Sequence, residues 1–487
     1  MNFTIRPLLK IATVLYCCAL AVTISANNLI INNPSLQGQN KTQHYVLVKF
    51  DAKWDNSWRV TTGPSNWDAA WIFVKYRLQG QTTWHHATLN YVDGTGSGDG
   101  HIEPSGSNIG SSDDNGSGGA YGVFLHASAT LSQSNVTYSN VSLRWNYGID
   151  GLSDNDKVEV CVFGIEMVYV PQGSFYAGSG GSETGNFYSA PSTIDPYLIG
   201  SENSILVGTG IGEFNYTSCG DNLGPIPAAF PKGYKAFYCM KYEITQAQYA
   251  AFLNKLTSAQ ATARAPGATT LRHAISGSVG SYVTSFPFVA CNFLSWADVA
   301  AYLDWSALRP MTELEFEKAA RGDISPVANE YAWGSTSATG ATGISNSALS
   351  NETPSNSTAN SCYNNAPGVQ GPLRAGCFGQ GANTRSSTGS GYYGIMELSG
   401  NLFERTVTVG NSQGRDFTGL HGNGAPDAFG DANVANWPGT SALGMGFRGG
   451  CWKEPAALMR TSDRFYANNS NGDRNGDYGG RGCRTAP

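Results

Sequence analysis

The sequence predicts a loop-rich α+β protein in which a β-rich N-terminal part precedes a part of mixed secondary structure. Three observations lead to this class. Glycine accounts for 60 of the 487 residues, and charged residues for only 14%, against about 25% in typical soluble domains. Apolar and polar residues alternate with period two up to about residue 164, whereas recognisable helix starts appear beyond it. The length exceeds what one ordinary core holds, so two domains are expected.

Residues 1–26 are predicted to be a secretory signal peptide. Arg6 and Lys10 precede an apolar run from Ile11 to Ile24, and the small residues Ser25 and Ala26 follow it. No later apolar run has the roughly 20 residues that a membrane-spanning helix needs. The mature chain is therefore expected to be secreted, in the extracellular space or at the cell surface, with no membrane span.

Residues 27–164 are predicted to form a β-sandwich. Short segments that alternate apolar and polar residues are separated by turn formers, and several such strands in succession are typical of a sandwich. The candidate strands are residues 45–50, 71–76, 84–91, 122–125, 141–145 and 158–163. Exposed edge strands of such a domain can pair between copies, so self-association through this domain is one possible role.

Three helix starts are readable beyond residue 165. Each combines a capping hydroxyl with a side chain, three residues later, that can bond back to the backbone. The pairs are Thr245 with Gln248, Ser295 with Asp298, and Thr312 with Glu315. The second helix is predicted over residues 296–307, and the third ends at Gly322, since glycine commonly stops a helix.

The order and spacing of these segments resemble the sulfatase-modifying-factor family, whose enzymes generate formylglycine. The resemblance runs from residue 165 to 487. It rests on residues 167–175 (MVYVPQGSF), 309–322 (RPMTELEFEKAARG), 331–334 (YAWG), 446–452 (GFRGGCW) and 479–484 (GGRGCR). It implies a modified C-type-lectin-like fold with few regular elements and long loops, of which residues 335–391 form the loosest.

In enzymes of that family, two cysteines separated by four residues hold copper(I) and are used to break bonds of a substrate cysteine. The corresponding positions of this chain are Glu454 and Met459. A carboxylate and a thioether do not supply a thiolate pair. The resemblance therefore implies the fold without the reaction, with no catalytic residue and no copper. The alternative is a formylglycine-type oxidoreductase that acts on a protein cysteine with an unfamiliar residue set, in which Cys451 is the one thiol on the matching segment.

Residues 393–404 resemble the segment that binds calcium in that family. The resemblance implies that Glu397 and Glu404 bind a structural calcium ion through their side chains, and Gly400 and Leu402 through their carbonyls. The alternative is that Glu404 pairs with an arginine, such as Arg405 or Arg448.

The segment that matches the family's active site combines charges with an aromatic side chain, which suits a pocket for a peptide or a glycan. The candidate pocket residues are Trp452, Lys453, Glu454, Arg460, Asp463 and Arg464. The alternative is an internal salt-bridge network that holds the C-terminal loops.

Eight cysteines follow the predicted signal peptide, and an even number in an exported chain favours disulfides. The local pairs that suggest themselves are Cys362 with Cys377 and Cys451 with Cys483. The alternative is that these cysteines are buried free thiols.

The function expected from these observations is that of a secreted, non-catalytic binding or structural component. A protein or glycan ligand would bind the C-terminal loops. A net charge of −6 disfavours a nucleic-acid partner. Besides the oxidoreductase, two alternatives are open. One is a self-assembling extracellular filament. The other is a component of the gliding or secretion machinery of the bacterial envelope, because some relatives in the family resemble such components.

Overall fold

The computed structural model describes residues 28–91, 99–111, 119–379 and 384–487. The predicted signal peptide, residues 1–26, lies outside the described residues. The chain consists mostly of strands, with few helices and long connecting loops. Within the described ranges, no helix is long and apolar enough to cross a membrane.

The strands, in chain order, are β1 Ile30–Asn40, β2 Tyr45–Arg59, β3 Asp68–Leu78, β4 His85–His86, β5 Leu89–Asn90, β6 Ser107–Ser111, β7 Gly119–Ala120, β8 Val123–Ala127, β9 Leu131–Trp145, β10 Val158–Val170, β11 Phe175–Ala177, β12 Phe187–Ser189, β13 Tyr197–Ile199, β14 Phe214–Tyr216, β15 Phe237–Met240, β16 Ile275–Ser276, β17 Val283–Thr284, β18 Arg309–Pro310, β19 Ile344–Ser345, β20 Thr353–Pro354, β21 Glu404–Val407, β22 Met445–Arg448 and β23 Gly482–Thr485. The helices are α1 Gln246–Leu253, α2 Ser258–Arg264, α3 Trp296–Trp305, α4 Glu313–Arg321, α5 Arg385–Thr388 and α6 Ser412–Arg415. Short 3₁₀ turns cover Cys377–Gly379 and Ala456–Met459.

Two sheets share one apolar core in the N-terminal part. The first has five strands in the order β1-β2-β9-β5-β7. The second has eight strands, in the order β18-β23-β15-β10-β3-β8-β6 with β4 paired to β3. Phe50 and Leu143 of the first sheet belong to the same buried cluster as Ile72 and Val74 of the second.

The long strand β10 belongs to both halves of the chain. It pairs with β3 from Val158 to Val168, and with β15 from Met167 to Val170. The boundary that the sequence suggests, between residues 164 and 165, therefore falls inside a strand. Both faces of the eight-stranded sheet are covered, which explains why β3 is buried along most of its length rather than at alternate positions.

Side chains of β3 reach into the core of the second half of the chain. The indole nitrogen of Trp71 donates a hydrogen bond to the carbonyl of Ser306 at 2.8 Å. The Lys75 ammonium donates to the carbonyls of Trp305 at 2.7 Å and Gly424 at 2.6 Å. Burial lowers the pKa of Lys75 well below its usual value, although Asp304 opposes the shift. The two halves thus share buried contacts as well as a sheet.

The three predicted helix starts are confirmed. Thr245, Ser295 and Thr312 each cap a helix and form the full reciprocal capping box. Helix α3 ends at Trp305 rather than at residue 307. Gly322 follows α4 with a φ of 80°, a conformation that glycine adopts without a steric cost.

Helix α2 was not predicted from the sequence. Thr257 and Gln260 form a further capping box at its start. The helix has only seven residues, of which Ala261 alone is buried. It therefore lacks the repeated apolar positions on which the recognition of a helix depends.

Candidate functional site

The two positions that the family resemblance matches to the catalytic cysteines, Glu454 and Met459, lie in different surroundings. Met459 is fully buried. Its sulfur accepts a hydrogen bond from the Ser361 hydroxyl at 3.3 Å, and its carbonyl accepts one from the Ser399 hydroxyl at 2.7 Å. Glu454 is half-buried, and its carbonyl accepts a hydrogen bond from the backbone of Asn364 at 2.8 Å. The pair offers no two soft ligands to a metal.

The neighbouring thiol, Cys451, is not activated. It is fully buried, and its sulfur lies 3.9 Å from Oδ2 of Asp477. Burial and the adjacent Asp477 carboxylate raise the pKa of Cys451 well above its usual value, and a nucleophilic cysteine needs the opposite shift. Asp477 also holds the Lys453 ammonium at 3.0 Å. The Cys451 thiol therefore stays protonated at neutral pH.

This burial predicts the pattern of thiol alkylation. Cys219 is half-buried, whereas the other seven described cysteines are fully buried. In native protein treated with iodoacetamide at pH 8, we expect Cys219 to be modified and Cys451 to react at least tenfold more slowly. Peptide mass spectrometry measures both rates, and denatured protein, in which every thiol reacts, is the control. A Cys451 that reacts as fast as Cys219 would contradict the buried, protonated thiol.

Asp463 and Arg464, two of the six candidate pocket residues, turn inward. The Arg464 guanidinium donates to Glu313 at 2.8 Å and to the carbonyl of Gly185 at 2.8 Å. The Asp463 carboxylate accepts hydrogen bonds from the backbone of Thr184 at 3.3 Å and of Phe465 at 3.1 Å. These side chains support the loops and do not line an open pocket.

Arg464 belongs to a buried network of charges. An internal salt-bridge network of this kind was the alternative to a ligand pocket in the sequence analysis. Its members are Glu313, Glu317, Arg321, Glu330, Arg448 and Arg464, all buried. Arg448 donates to Glu313 at 3.0 Å and to Glu317 at 2.7 Å, and Arg321 pairs with Glu317 and Glu330. Three carboxylates thus balance three guanidinium groups. The four-residue spacing of Glu313, Glu317 and Arg321 on one face of α4 is the signal from which this network was predictable.

The remaining pocket candidates divide between interior and surface. Trp452 is buried, and its indole nitrogen donates to the carbonyl of Gly476 at 3.0 Å. Arg460 is half-buried, and its positive charge opposes the burial that raises the pKa of Tyr331. Lys453 and Glu454 are half-buried beside Tyr466, where burial, and then the Glu454 charge, raise the pKa of the Tyr466 phenol.

An exposed aromatic completes this surface, although it was not among the predicted residues. Phe465 is 51% exposed and packs edge-on against Tyr466 with ring centres 4.7 Å apart. Its backbone is fixed by Asp463, and the preceding residue, Arg464, is anchored in the buried network. We define the C-terminal surface as Lys453, Glu454, Phe465 and Tyr466. It presents one aromatic anchor and both signs of charge on a rigid base.

The model of the sulfatase-modifying factor enzyme 1-like domain matches residues 160–486 of this chain. The chain belongs to the sulfatase-modifying factor enzyme 1-like family. The match begins inside β10, the strand that both halves share. Among solved structures, the chain is similar to Treponema denticola variable protein 1, at 15% sequence identity and a TM-score of 0.31, over 66% of this chain and 96% of that one. No curated protein matches the chain.

Four residues of this sulfatase-modifying factor domain were predicted to bind calcium, and the two carboxylates among them, Glu397 and Glu404, are buried. The guanidinium of Arg481 already pairs with Glu404, so the ion-pair alternative is realised with Arg481 instead of Arg405 or Arg448. Glu397 accepts a hydrogen bond from the backbone of Gly376 at 3.0 Å. One oxygen each of Glu397 and Glu404 is buried without a hydrogen-bond partner. Over the described residues, no group of three histidine, cysteine, aspartate or glutamate side chains is placed to hold a metal.

The other two predicted calcium ligands, Gly400 and Leu402, would bind through their carbonyls, whereas the following hydrogen bonds are made by their backbone amides. Gly400 donates to the carbonyl of Gly449 at 2.7 Å, and Leu402 donates to Glu243 at 2.9 Å. Calcium binding stays a prediction. Its test is whether calcium, added after chelation, raises the thermal midpoint.

Neither predicted disulfide is present in this structure, in which none of the eight described cysteines is bonded to another. Cys451 faces Asp477, whereas Cys483 lies opposite Cys239 on a neighbouring strand. Cys362 and Cys377 lie in one buried cluster without a bond between them. In this structure the side chains of Cys451 and Cys483 point into different environments, so their pairing gains no support and stays a prediction.

A recessed space lies apart from the C-terminal surface, at the junction of the two halves. This cavity of about 560 Å³ is lined by Asp55 and Trp58 of β2 and, from the sulfatase-modifying factor domain, by Lys241, Tyr242 and Arg374. It offers a second place where a polar ligand can be tested.

Proposed function

We propose that this protein is a secreted, non-catalytic binding protein. In this proposal the first half is a β-sandwich, and the second is a modified C-type-lectin-like scaffold that displays a ligand-binding surface. The observation that carries it is the replacement of the catalytic cysteine pair by Glu454 and the buried Met459. Formylglycine formation needs two thiolates near the substrate cysteine, and this segment has only the protonated Cys451.

Binding is supported by the form of the C-terminal surface. Interface energy is concentrated in a few aromatic and charged residues that a rigid base holds in place. Phe465 offers such an anchor, because its exposed ring projects from a backbone that Asp463 and Arg464 fix. Lys453 and Glu454 beside it supply hydrogen-bonding groups of opposite charge. A peptide or a glycan with one apolar face and polar edges suits this surface.

If the protein is a binding protein without catalytic cysteines, it neither binds copper(I) stoichiometrically nor oxidises a peptide cysteine. We expect titration with copper(I) under reducing conditions to give less than about 0.1 equivalents of tightly bound metal. This upper limit is on the order of a tenth of what one intact site with two thiolate ligands would bind. Incubation with a cysteine-containing peptide is expected to yield no aldehyde. Cys451→Ala is the control for any residual binding. Stoichiometric copper(I) that this substitution abolishes would overturn the proposal and favour the oxidoreductase.

The binding surface predicts the effect of removing its aromatic anchor. We expect Phe465→Ala to weaken the binding of any ligand found on peptide or glycan arrays by about tenfold or more, the loss of a hot-spot aromatic. Phe429→Ala is the matched control, because Phe429 is also exposed, at 75%, but lies in another loop. Unchanged affinity in Phe465→Ala, with a loss in Trp58→Ala, would move the ligand site to the junction cavity.

The exposed edge of the five-stranded sheet disfavours the filament alternative. Strand β1 forms that edge, and its sequence contains Pro34, which has no N–H to donate. The pairing of β1 with β2 is also irregular between Asn32 and Ser35 and between Gln37 and Asn40. Proline and bulges on an edge strand are features that prevent pairing between copies.

A further inference from the structure

Two cysteines far apart in the sequence stand directly opposite each other in the eight-stranded sheet. Cys239 of β15 and Cys483 of β23 are partners in an antiparallel ladder. The amide of Ala486 donates to the carbonyl of Ala236 at 3.0 Å, which marks that pair as a hydrogen-bonded one. Hydrogen-bonded and non-hydrogen-bonded pairs alternate along an antiparallel ladder. The Cys239–Cys483 pair lies three positions from the Ala236–Ala486 pair, so it is a non-hydrogen-bonded pair.

That position suits a covalent link between the strands. The Cα atoms of non-hydrogen-bonded pairs lie about 4.5 Å apart, and their side chains approach more closely than those of hydrogen-bonded pairs. Disulfides span Cα separations of about 4.4–6.8 Å. The Cα separation typical of such a pair therefore falls within the range that a disulfide spans.

The side chains of both cysteines also point to the same side of the sheet. Both are fully buried and belong to one apolar cluster with Val168, Met311 and Phe316. Burial, and then the adjacent Cys239 thiol, raise the pKa of Cys483. The Cys239 thiol also donates a hydrogen bond to the carbonyl of Met240 at 3.5 Å, as the Cys291 thiol does to the carbonyl of Asn292. Cys451, in contrast, faces the Asp477 carboxylate.

We propose that Cys239 and Cys483 form a disulfide that fixes the last strand, β23, to β15. The oxidant is a disulfide of low molecular mass or of an oxidoreductase in the compartment to which the chain is exported. One cysteine thiolate attacks it and forms a mixed disulfide, and the second thiolate then displaces the remaining thiol. Two cysteine protons and two electrons leave, and the oxidant becomes two thiols. Because both cysteines are buried in the folded chain, the exchange takes place while β23 docks.

The bond would secure the end of the chain that supports the C-terminal surface. Strand β23 has only four residues, Gly482–Thr485, and lies between β15 and the two-residue strand β18. So short a strand frays readily unless it is tied to its neighbours. A link at Cys483 ties the whole segment that follows Phe465 back to the middle of the sheet.

The test uses the full mature chain, refolded with reduced and oxidised glutathione, alkylated without reduction in denaturant, and digested. We expect a linked peptide pair that contains Cys239 and Cys483, lighter by two hydrogens than the sum of its parts and separated by reduction. Cys451→Ala is the matched control and is expected to keep the link. In Cys239→Ala, Cys483 is expected to become alkylated.

Two outcomes would overturn the proposal. One is alkylation of both Cys239 and Cys483 in the unreduced wild-type protein, and the other is a link between Cys483 and any other cysteine. If Cys239→Ala does not fold, the peptide map of the wild type decides alone. As a second measurement, reduction is expected to lower the urea midpoint of the wild type and to leave that of Cys239→Ala/Cys483→Ala unchanged.

Discussion

Separating the chain between residues 164 and 165, where the sequence suggests a domain boundary, is expected to leave neither part folded. The cut divides β10 within its pairing to β3, which runs from Val158 to Val168. It also separates Trp71 and Lys75 from the carbonyls that they bond in the second half. Two buried faces and several buried donors would be exposed at once. Exposing this apolar surface removes the hydrophobic stabilisation that offsets the conformational entropy of folding. The margin is small, because the net stability of a typical domain is only about 5–15 kcal/mol.

The measurement is the circular dichroism and thermal melting of two fragments, residues 27–164 and 165–487, each alone and after mixing. We expect each fragment alone to lack a cooperative transition. The matched control is a single cleavage of the intact chain beside Ile211, which is 94% exposed and lies in a surface loop between β13 and β14. That nick is expected to leave the melting transition in place. Two fragments that melt cooperatively on their own would show that the halves are independent domains.

A related substitution measures how strongly the halves depend on each other. The indole of Trp71 is fully buried, packs on Phe124 at 4.8 Å between ring centres, and lies 4.6 Å below the Arg484 guanidinium. Trp71→Ala is expected to cost about 3–5 kcal/mol and to lower one common unfolding transition. Calorimetry that showed two transitions, with only the first shifted, would contradict the shared core.

Local features of this fold were predictable because their causes are local. A capping box depends on residues three apart, so the starts at Thr245, Ser295 and Thr312 are readable from the chain alone. The alternation in residues 45–50 and 141–145 likewise locates β2 and β9, although not their full lengths. Strand β1 was missed because Asn32, Asn33 and Pro34 interrupt its apolar pattern and bend it into a bulge.

Features that depend on distant residues were not predictable. The sequence shows that β10 is a strand, but not that β3 and β15 flank it. Arg481 as the partner of Glu404, and Cys239 as the neighbour of Cys483, are equally matters of tertiary packing. For the candidate site, the family resemblance located the segment correctly. It could not distinguish Arg464, which faces the interior, from the exposed Phe465 that follows it.

Replacing Glu313 with glutamine is expected to destabilise the protein by about 3–5 kcal/mol, the typical cost of breaking a buried ion pair by removing one partner. Its carboxylate accepts hydrogen bonds from Arg464 at 2.8 Å, from Arg448 at 3.0 Å and from the backbone of Val409 at 2.8 Å. An amide of the same shape removes the charge and turns one acceptor into a donor that faces a guanidinium. The buried network then carries one positive charge without a counter-ion.

Urea unfolding of Glu313→Gln and of the wild type at pH 7 measures this cost. The matched control is Asp323→Asn, which removes an exposed carboxylate just beyond the same helix and is expected to change stability by less than about 0.5 kcal/mol. A Glu313→Gln protein as stable as the control would show that the network adds nothing to the fold.

The stability difference between the wild type and Glu313→Gln is also expected to depend on pH. Burial tends to raise the pKa of Glu313, but Arg464 and then Arg448 outweigh it, so the folded-state pKa lies below the usual value. A lowered folded-state pKa means that the stabilisation is complete above the unfolded-state pKa, about 4.3, and is lost as the pH falls through the folded-state value. The difference in stability between the wild type and Glu313→Gln is therefore expected to be constant from pH 8 to 5 and to shrink in stronger acid.

The substitution also links the interior to the proposed binding surface. Arg464 holds its loop through Glu313, and Phe465 follows directly on that loop. Below the unfolding temperature, Glu313→Gln is thus expected to weaken ligand binding even though Glu313 itself is buried and distant from solvent. Asp323→Asn should bind as the wild type does. If Glu313→Gln loses stability but keeps full affinity, the ligand does not depend on Phe465, and the junction cavity beside Trp58 becomes the better site.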